Sequence, residues 1–216
     1  MKKIVLLAAM GSEVAPLRAA LPGILILGTG VGKVAAAMNT QRAITEHQPD
    51  ALVFVGVAGG LGDVPRLAVV VAKDAVQWDV DITAVNGGEV GTLNNGQRFL
   101  TLSPDGSQLA FQASLALGFP TILGRVASGD AFVADPSKST WIRETFQADA
   151  VEMEGAAALQ VALENKVPMV LIRVISDGAG DDAPMSFTDF LEAAATRAAN
   201  VVAAFLPKWL EQLESN

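Results

Sequence analysis

The chain contains no cysteine and a single histidine, and its 15 basic residues face 23 acidic ones, for a net charge of -8. Without cysteine there is no disulfide framework, no thiolate nucleophile and no thiolate metal site. One histidine without cysteines builds neither a zinc site nor a Ser-His-Asp triad. That histidine, His47, falls at an expected helix end just before Pro49, where a cation would answer the helix dipole. The charge has the wrong sign for a phosphate-backbone binder, which argues against nucleic acid as a partner. No apolar run approaches the ~18 uninterrupted residues of a membrane span. The opening run Ile4–Ala9 follows two lysines, as a secretion signal would, but it is short and leads straight into Glu13 and an expected helix. It reads as a buried strand. A phosphate loop of the Gly-x-x-x-x-Gly-Lys-Ser/Thr type is missing as well. The expectation is a soluble, cytoplasmic protein with no membrane partner, no metal and no cofactor, whose chemistry falls to carboxylates.

What is present is a large apolar inventory: 51% of the 216 residues are hydrophobic and only 18% charged. A chain of this size buries about 70% of its unfolded surface, enough for one domain over residues 1–216. Short apolar runs at Ile4–Ala9, Ile24–Leu27, Ala51–Val55, Leu67–Val71, Thr121–Val126 and Val167–Ile175 predict strands. Between several of them, Ala-rich stretches at Lys33–His47, Gln108–Leu117, Gly155–Lys166 and Phe187–Glu214 predict helices. Strands apolar on both faces, alternating with helices, suit a parallel sheet covered on each side, an α/β fold. Trp78–Phe99 is less regular, with Asn86-Gly87-Gly88 and Asn94-Asn95-Gly96, and reads as hairpins or a surface excursion.

The residues after the strands carry the functional signal. Met10-Gly11-Ser12-Glu13, Gly28-Thr29-Gly30-Val31-Gly32-Lys33, Gly56-Val57-Ala58-Gly59-Gly60, Ser128-Gly129-Asp130-Ala131-Phe132 and Ser176-Asp177-Gly178 each follow an apolar run. In open parallel sheets, ligands bind beyond the carboxyl ends of strands, so five strand ends are expected to share one crevice. The Gly28-x-Gly30-x-Gly32 spacing differs from a dinucleotide fingerprint and follows the second strand, so a dinucleotide site is not expected. Glu13, Glu154 and Asp177 stand out. Each alone could be a cap or a dipole partner; their common position at strand ends makes them candidates for chemistry. Glu152 and Glu154 bracket Met153, and if the segment is extended, alternation aims Met153 away from both acids, with a bend at Gly155 able to separate them. Arg173 interrupts an apolar strand, and a buried guanidinium demands a carboxylate partner, either as a structural pair or to orient an active-site acid.

Ala8-Ala-Met-Gly-Ser-Glu13, Gly30-Val-Gly-Lys-Val-Ala-Ala36, Gly56-Val-Ala-Gly-Gly60, Asp79-Val-Asp-Ile-Thr83, Ser128-Gly-Asp-Ala-Phe132, Val151-Glu-Met-Glu154 and Arg173-Val-Ile-Ser-Asp177 occur in one order along nearly the whole chain. In that order they resemble the 5'-methylthioadenosine/S-adenosylhomocysteine nucleosidases of the nucleoside phosphorylase superfamily. The resemblance implies a single-domain three-layer sandwich with a mixed, largely parallel central sheet flanked by helices. It also implies an N-ribosyl hydrolase that releases adenine from a 5'-thio-substituted ribose, working as a homodimer whose partner helps close the thioalkyl pocket. Asp177 would protonate purine N7, Glu13 would activate water and Glu154 would hold the ribose hydroxyls. Phe132 would stack on the base, Val133 would read it through its backbone, Met153 would pack under the sugar, and Gly59 and Ser176 would line the pocket.

Carboxylates suit such a reaction on chemical grounds. Breaking the C–N bond places positive charge on the ribose and negative charge on the departing base; one acid protonates the purine while another activates water beside the cation. Water is favoured over phosphate as nucleophile because a dianion needs arginines, and Glu13 stands where it would repel one. Three departures from the family pattern touch substrate choice: Val57 where a serine is expected, a short span between Glu13 and Gly28 that lacks a hairpin, and Trp78 where a histidine is common. The rival readings are a nucleosidase for another 5'-substituted purine nucleoside such as futalosine, a phosphorolytic purine nucleoside phosphorylase, and, from a different class, a non-catalytic nucleoside-binding protein.

Overall fold

The computed structural model describes residues 2–215, the side chain of Asn86 excepted. Its elements run β1 (Ile4–Ala8), α1 (Gly11–Ala20), β2 (Leu25–Gly28), α2 (Lys33–His47), β3 (Ala51–Gly60), β4 (Val69–Gln77), α3 (Thr83–Asn86), β5 (Leu100–Thr101), α4 (Pro104–Ala116), β6 (Thr121–Ser128), α5 (Pro136–Phe146), β7 (Ala150–Glu152), α6 (Gly155–Glu164), β8 (Met169–Asp177) and α7 (Ala183–Ser215). Strands and helices alternate as the apolar runs predict. α5 escapes the hydrophobic pattern, yet its start is written locally: the Asp135 carboxylate accepts from the amides of Ser137 and Lys138 at 2.7 and 3.3 Å, and Pro136 occupies the first turn.

Strands β1, β3 and β8 alternate between two cores. Leu6, Val53, Val55, Ile172 and Val174 pack with Val201, Phe205 and Trp209 of α7, whereas Val5, Leu7, Phe54 and Leu171 pack with Ala36 and Ala43 of α2 and Leu159 of α6. Helices thus cover both faces of these parallel strands, which is why their sequences are apolar throughout.

The expected three-layer sandwich needs correcting. Among the described residues the sheet has eight strands, and it is mixed: β3 pairs β1 and β8 in parallel and β7 antiparallel; β7 continues in parallel to β6, β6 to β4, and β4 returns antiparallel to β8. Strands β3, β7, β6, β4 and β8 therefore close into a small barrel, with β1 and β2 extending from β3. Closure follows from bends that no apolar pattern reveals. The ladders shift register between Ala58 and Gly59 of β3 and between Ala72 and Asp74 of β4, irregularities that turn a strand from one neighbour to the next. Gly60 sits at the first of these corners, where a Cβ would come within 2.8 Å of the Val64 carbonyl oxygen.

Strand β3 also continues past the predicted end at Val55 and runs to Gly60. Trp78–Phe99 forms no hairpin among the described residues; it is a surface excursion with the single turn of α3. Its far end is held where the Arg125 guanidinium lies 3.7 Å from the Phe99 ring centroid. No helix among the described residues is long and apolar enough to cross a membrane.

Candidate active site

Glu13 stands in the first turn of α1, directly after β1, and is buried. One carboxylate oxygen accepts from the Met10 amide at 2.8 Å and the other from the Val57 amide of β3 at 2.9 Å. The helix start and the neighbouring strand thus fix the same side chain. Gly56 makes room for it: a Cβ there would lie 2.5 Å from Glu13 Oε1. Burial pushes the Glu13 pKa up, against the opposing pull of Arg173 and of the Met10 and Val57 amides.

Asp177 ends β8 and is also buried. Its Oδ1 accepts from the Ala179 amide and its Oδ2 from the Ser176 hydroxyl, both at 2.9 Å. Burial again raises the pKa, outweighing these two donors. Gly59 is its close neighbour; a Cβ at Gly59 would come within 3.0 Å of Asp177 Oδ1.

The bend able to leave only one acid of the Val151–Gly155 segment in the crevice does not do so: Glu152 and Glu154 both line the cleft. β7 stops at Glu152, Glu154 becomes the N-cap of α6, and strict alternation does not apply, so Met153 shares the cleft with Glu154 instead of pointing away. Glu154 Oε1 accepts from the Gly32 amide at 2.8 Å. Its pKa is raised to about 7, first by burial and then by the charge of Glu152, against Arg173 and the Gly32 amide. Glu152, also on the cleft wall, pairs with Arg173, Nη2 to Oε2 at 2.6 Å and Nε to the same oxygen at 3.1 Å. The partner that Arg173 demanded is therefore Glu152.

The glycines of Gly28–Gly32 have a structural explanation. Gly30 and Gly32 hold φ of 80° and 94°, and the first amides of α2 are taken by Glu154 and by Asp130, the latter 2.7 Å from Lys33 N. His47 lies at the far end of α2, where its carbonyl accepts from Lys3 Nζ at 2.8 Å.

The strand ends meet around one cleft of about 130 Å³. Of the residues singled out in the sequence, Glu13, Val57, Gly59, Phe132, Glu152, Met153, Glu154, Ser176 and Asp177 line it. Val133 is buried and lines a smaller adjoining cavity that shares Gly59, Phe132, Met153 and Asp177 with the main one. Phe187 of α7 also lines the cleft and meets Phe132 edge-on, the ring centroids 5.7 Å apart; nothing in its helix-start surroundings marks it in the sequence. Met10, Val31 and Val57, each inside one of the glycine motifs that follow the strands, complete an apolar side. Among the described lining residues four are carboxylates and none is Arg or Lys. Such a cleft can hold a neutral ligand with a flat apolar portion and several hydroxyls, and can exchange protons at two separated points.

Comparison with known proteins bears on what that ligand is. The family model described as "Phosphorylase superfamily" matches residues 22–207. A 5'-methylthioadenosine/S-adenosylhomocysteine nucleosidase of Lysinibacillus sphaericus is 37% identical over 182 residues, covering 83% of this chain and 79% of its own. The corresponding enzyme of Neisseria meningitidis, solved in complex with methylthio-immucillin-A, superposes with a TM-score of 0.92 at 29% identity, covering 96% of this chain and 100% of that one. A futalosine hydrolase mutant from Helicobacter pylori superposes with a TM-score of 0.91 at 29% identity, with the same coverage of both chains.

Proposed function

The chain belongs to the phosphorylase superfamily, and from that membership we propose that it is an N-ribosyl hydrolase cleaving 5'-methylthioadenosine and S-adenosylhomocysteine to adenine and the thioribose. The observation that carries the reading is that Glu13 and Asp177, from opposite ends of the polypeptide, line one cleft with their carboxyls buried and their pKa values raised. The relatives named for these two substrates support the choice of ligand.

In this reading Asp177, kept protonated to a higher pH than an exposed aspartate, gives its proton to purine N7 so that the base leaves neutral. The Ser176 hydroxyl orients the acid. Glu13 takes a proton from the attacking water, and the carboxylates around the sugar offset the positive charge that develops on it. Glu154 accepts from the ribose hydroxyls, Met153 packs beneath the sugar, Phe132 stacks on the base, Val133 meets the base through its backbone, and Gly59 lets the purine approach β3. A phosphate dianion among these carboxylates, with no Arg or Lys among the described lining residues to hold it, would be repelled; water is the nucleophile.

The unit is the whole of residues 1–216 as one nucleoside-phosphorylase-like domain, and it acts in the cytoplasm as a homodimer. Support for the dimer comes from α2, where Val34 and Met38 are 78% and 62% exposed and continue the line of Val31, itself 53% exposed at the cleft. Futalosine is the second substrate to consider, because a futalosine hydrolase shares the fold at similar identity.

The deciding experiment incubates the protein with methylthioadenosine, adenosylhomocysteine, inosine and futalosine, with and without phosphate. Adenine released from the first two, unaccelerated by phosphate and without ribose 1-phosphate, is expected. Release of base from futalosine alone, or dependence on phosphate, would replace this reading with one of its rivals.

A further inference from the structure

Glu152 makes more contacts than a charge partner for Arg173 requires. Besides the guanidinium, its carboxylate accepts from the Gly155 amide at 2.8 Å and the Glu154 amide at 3.2 Å, the first free N–H groups of α6. The Ser128 hydroxyl donates to its other oxygen and in turn accepts from the Ala156 amide at 2.7 Å. Glu152, Arg173 and Ser128 are all buried, and Arg173 also lies 4.7 Å from the Phe54 ring centroid. This clasp joins the ends of β6 and β7 and the middle of β8 to the start of α6, whose N-cap is Glu154.

We propose that Glu152 is a positioning residue for Glu154: by holding the first amides of α6 and the Arg173 guanidinium, it fixes where the sugar-side carboxylate stands and which charges surround it. The inference rests on the nucleoside-hydrolase reading and deepens it. The charged and polar groups facing Glu154 are Glu152 from β7, Arg173 and Asp177 from β8, Glu13 from α1 and the Gly32 amide of α2; Lys33, next along α2, spends its ammonium on Asp79 at 2.6 Å. Removing the Glu152 charge takes away a repulsion and leaves Arg173 unbalanced. Both changes favour the ionised form of Glu154, in keeping with the Glu152 charge being, after burial, the main influence lifting its pKa to about 7.

The test compares wild type, Glu152→Gln and Ser128→Ala in methylthioadenosine hydrolysis over pH 5 to 9, with Glu152→Gln repeated in a Glu154→Gln background. For Glu152→Gln, the acid limb of kcat/KM is expected to move down by about one pH unit, and not to move when Glu154 is already Gln. Ser128→Ala keeps the ion pair and loosens only the clasp; KM is expected to rise roughly tenfold with kcat largely kept. Thermal melting identifies a Glu152→Gln protein that does not fold, in which case Ser128→Ala decides. A wild type that does not cleave methylthioadenosine refutes the functional reading. A wild type that does, with an unmoved limb in Glu152→Gln or an unchanged KM in Ser128→Ala, overturns the role of Glu152 alone.

Discussion

Gly56→Ala is the smallest change that reaches the chemistry. Its Cβ would land 2.5 Å from the Glu13 carboxylate, which is pinned by two amides and has nowhere to go. Hydrolysis is expected to fall at least ~100-fold, the scale of a displaced catalytic group; steady-state kinetics on a variant that still melts cooperatively would check it. Asp177→Asn keeps the shape and the backbone bond but removes the transferable proton. A loss of about 10²- to 10⁴-fold in kcat is expected, with inhibitor affinity changed far less; a fully active Asp177→Asn protein would eliminate the proposed general acid. At this scale the sequence was highly legible. Glu13, Glu154 and Asp177 were readable because they are charges set among glycines just past apolar runs. Phe187 was not, since a phenylalanine near a helix start looks the same whether it faces a core or a cleft.

Elements determine where those charges meet. Helix α7 spans 33 residues and lays Val201, Val202, Phe205, Leu206 and Trp209 against the β1, β3 and β8 side of the sheet, while its first turns carry Phe187 to the cleft. Trp209 is fully buried and packs closely on Gly106 of α4, so Trp209→Ala is expected to cost about 3–5 kcal/mol, measurable by urea denaturation. Phe187→Ala removes a cleft wall and the edge contact with Phe132 without touching a proton donor or acceptor. It should raise KM more than it lowers kcat. The apolar runs announced most strands and the Ala-rich stretches most long helices. Short elements such as β7 and the barrel corners at Ala58/Gly59 and Ala72/Asp74 were silent, because a register shift depends on which strand lies opposite and leaves no periodicity behind.

The molecule as a whole carries three buried carboxyls whose pKa values are raised, Glu13, Glu154 and Asp177. A raised carboxyl pKa means that the folded state holds its proton more tightly than the unfolded chain. The associated stability is present below the ordinary carboxylate range and is lost as pH climbs through the folded value. For Glu154 that window runs from the ordinary glutamate value of 4.5 to about 7, an effect of order 3 kcal/mol. The ligand-free protein is thus expected to melt about 5–10 °C lower at pH 8 than at pH 5, and Glu154→Gln should flatten the dependence; a melting temperature that rises over this interval would contradict the assignment. The same buried acids that make stability depend on pH are those the proposed reaction uses.

The sequence by itself determined the class of fold and the kind of chemistry. Composition excluded thiol and multi-histidine chemistry and pointed to carboxylates, hydrophobic runs marked the order of most strands and long helices, and glycines marked where backbone had to come close to a ligand or a side chain. Tertiary structure alone decided that the sheet closes on itself, that Glu152 pairs with Arg173 while Glu154 accepts from the Gly32 amide, and that Phe187 returns from the last helix to the same site. The division has a physical cause: burial and strand pairing are averages over many residues and are written in local pattern, whereas the partner of one buried charge depends on atoms contributed by distant segments of the chain.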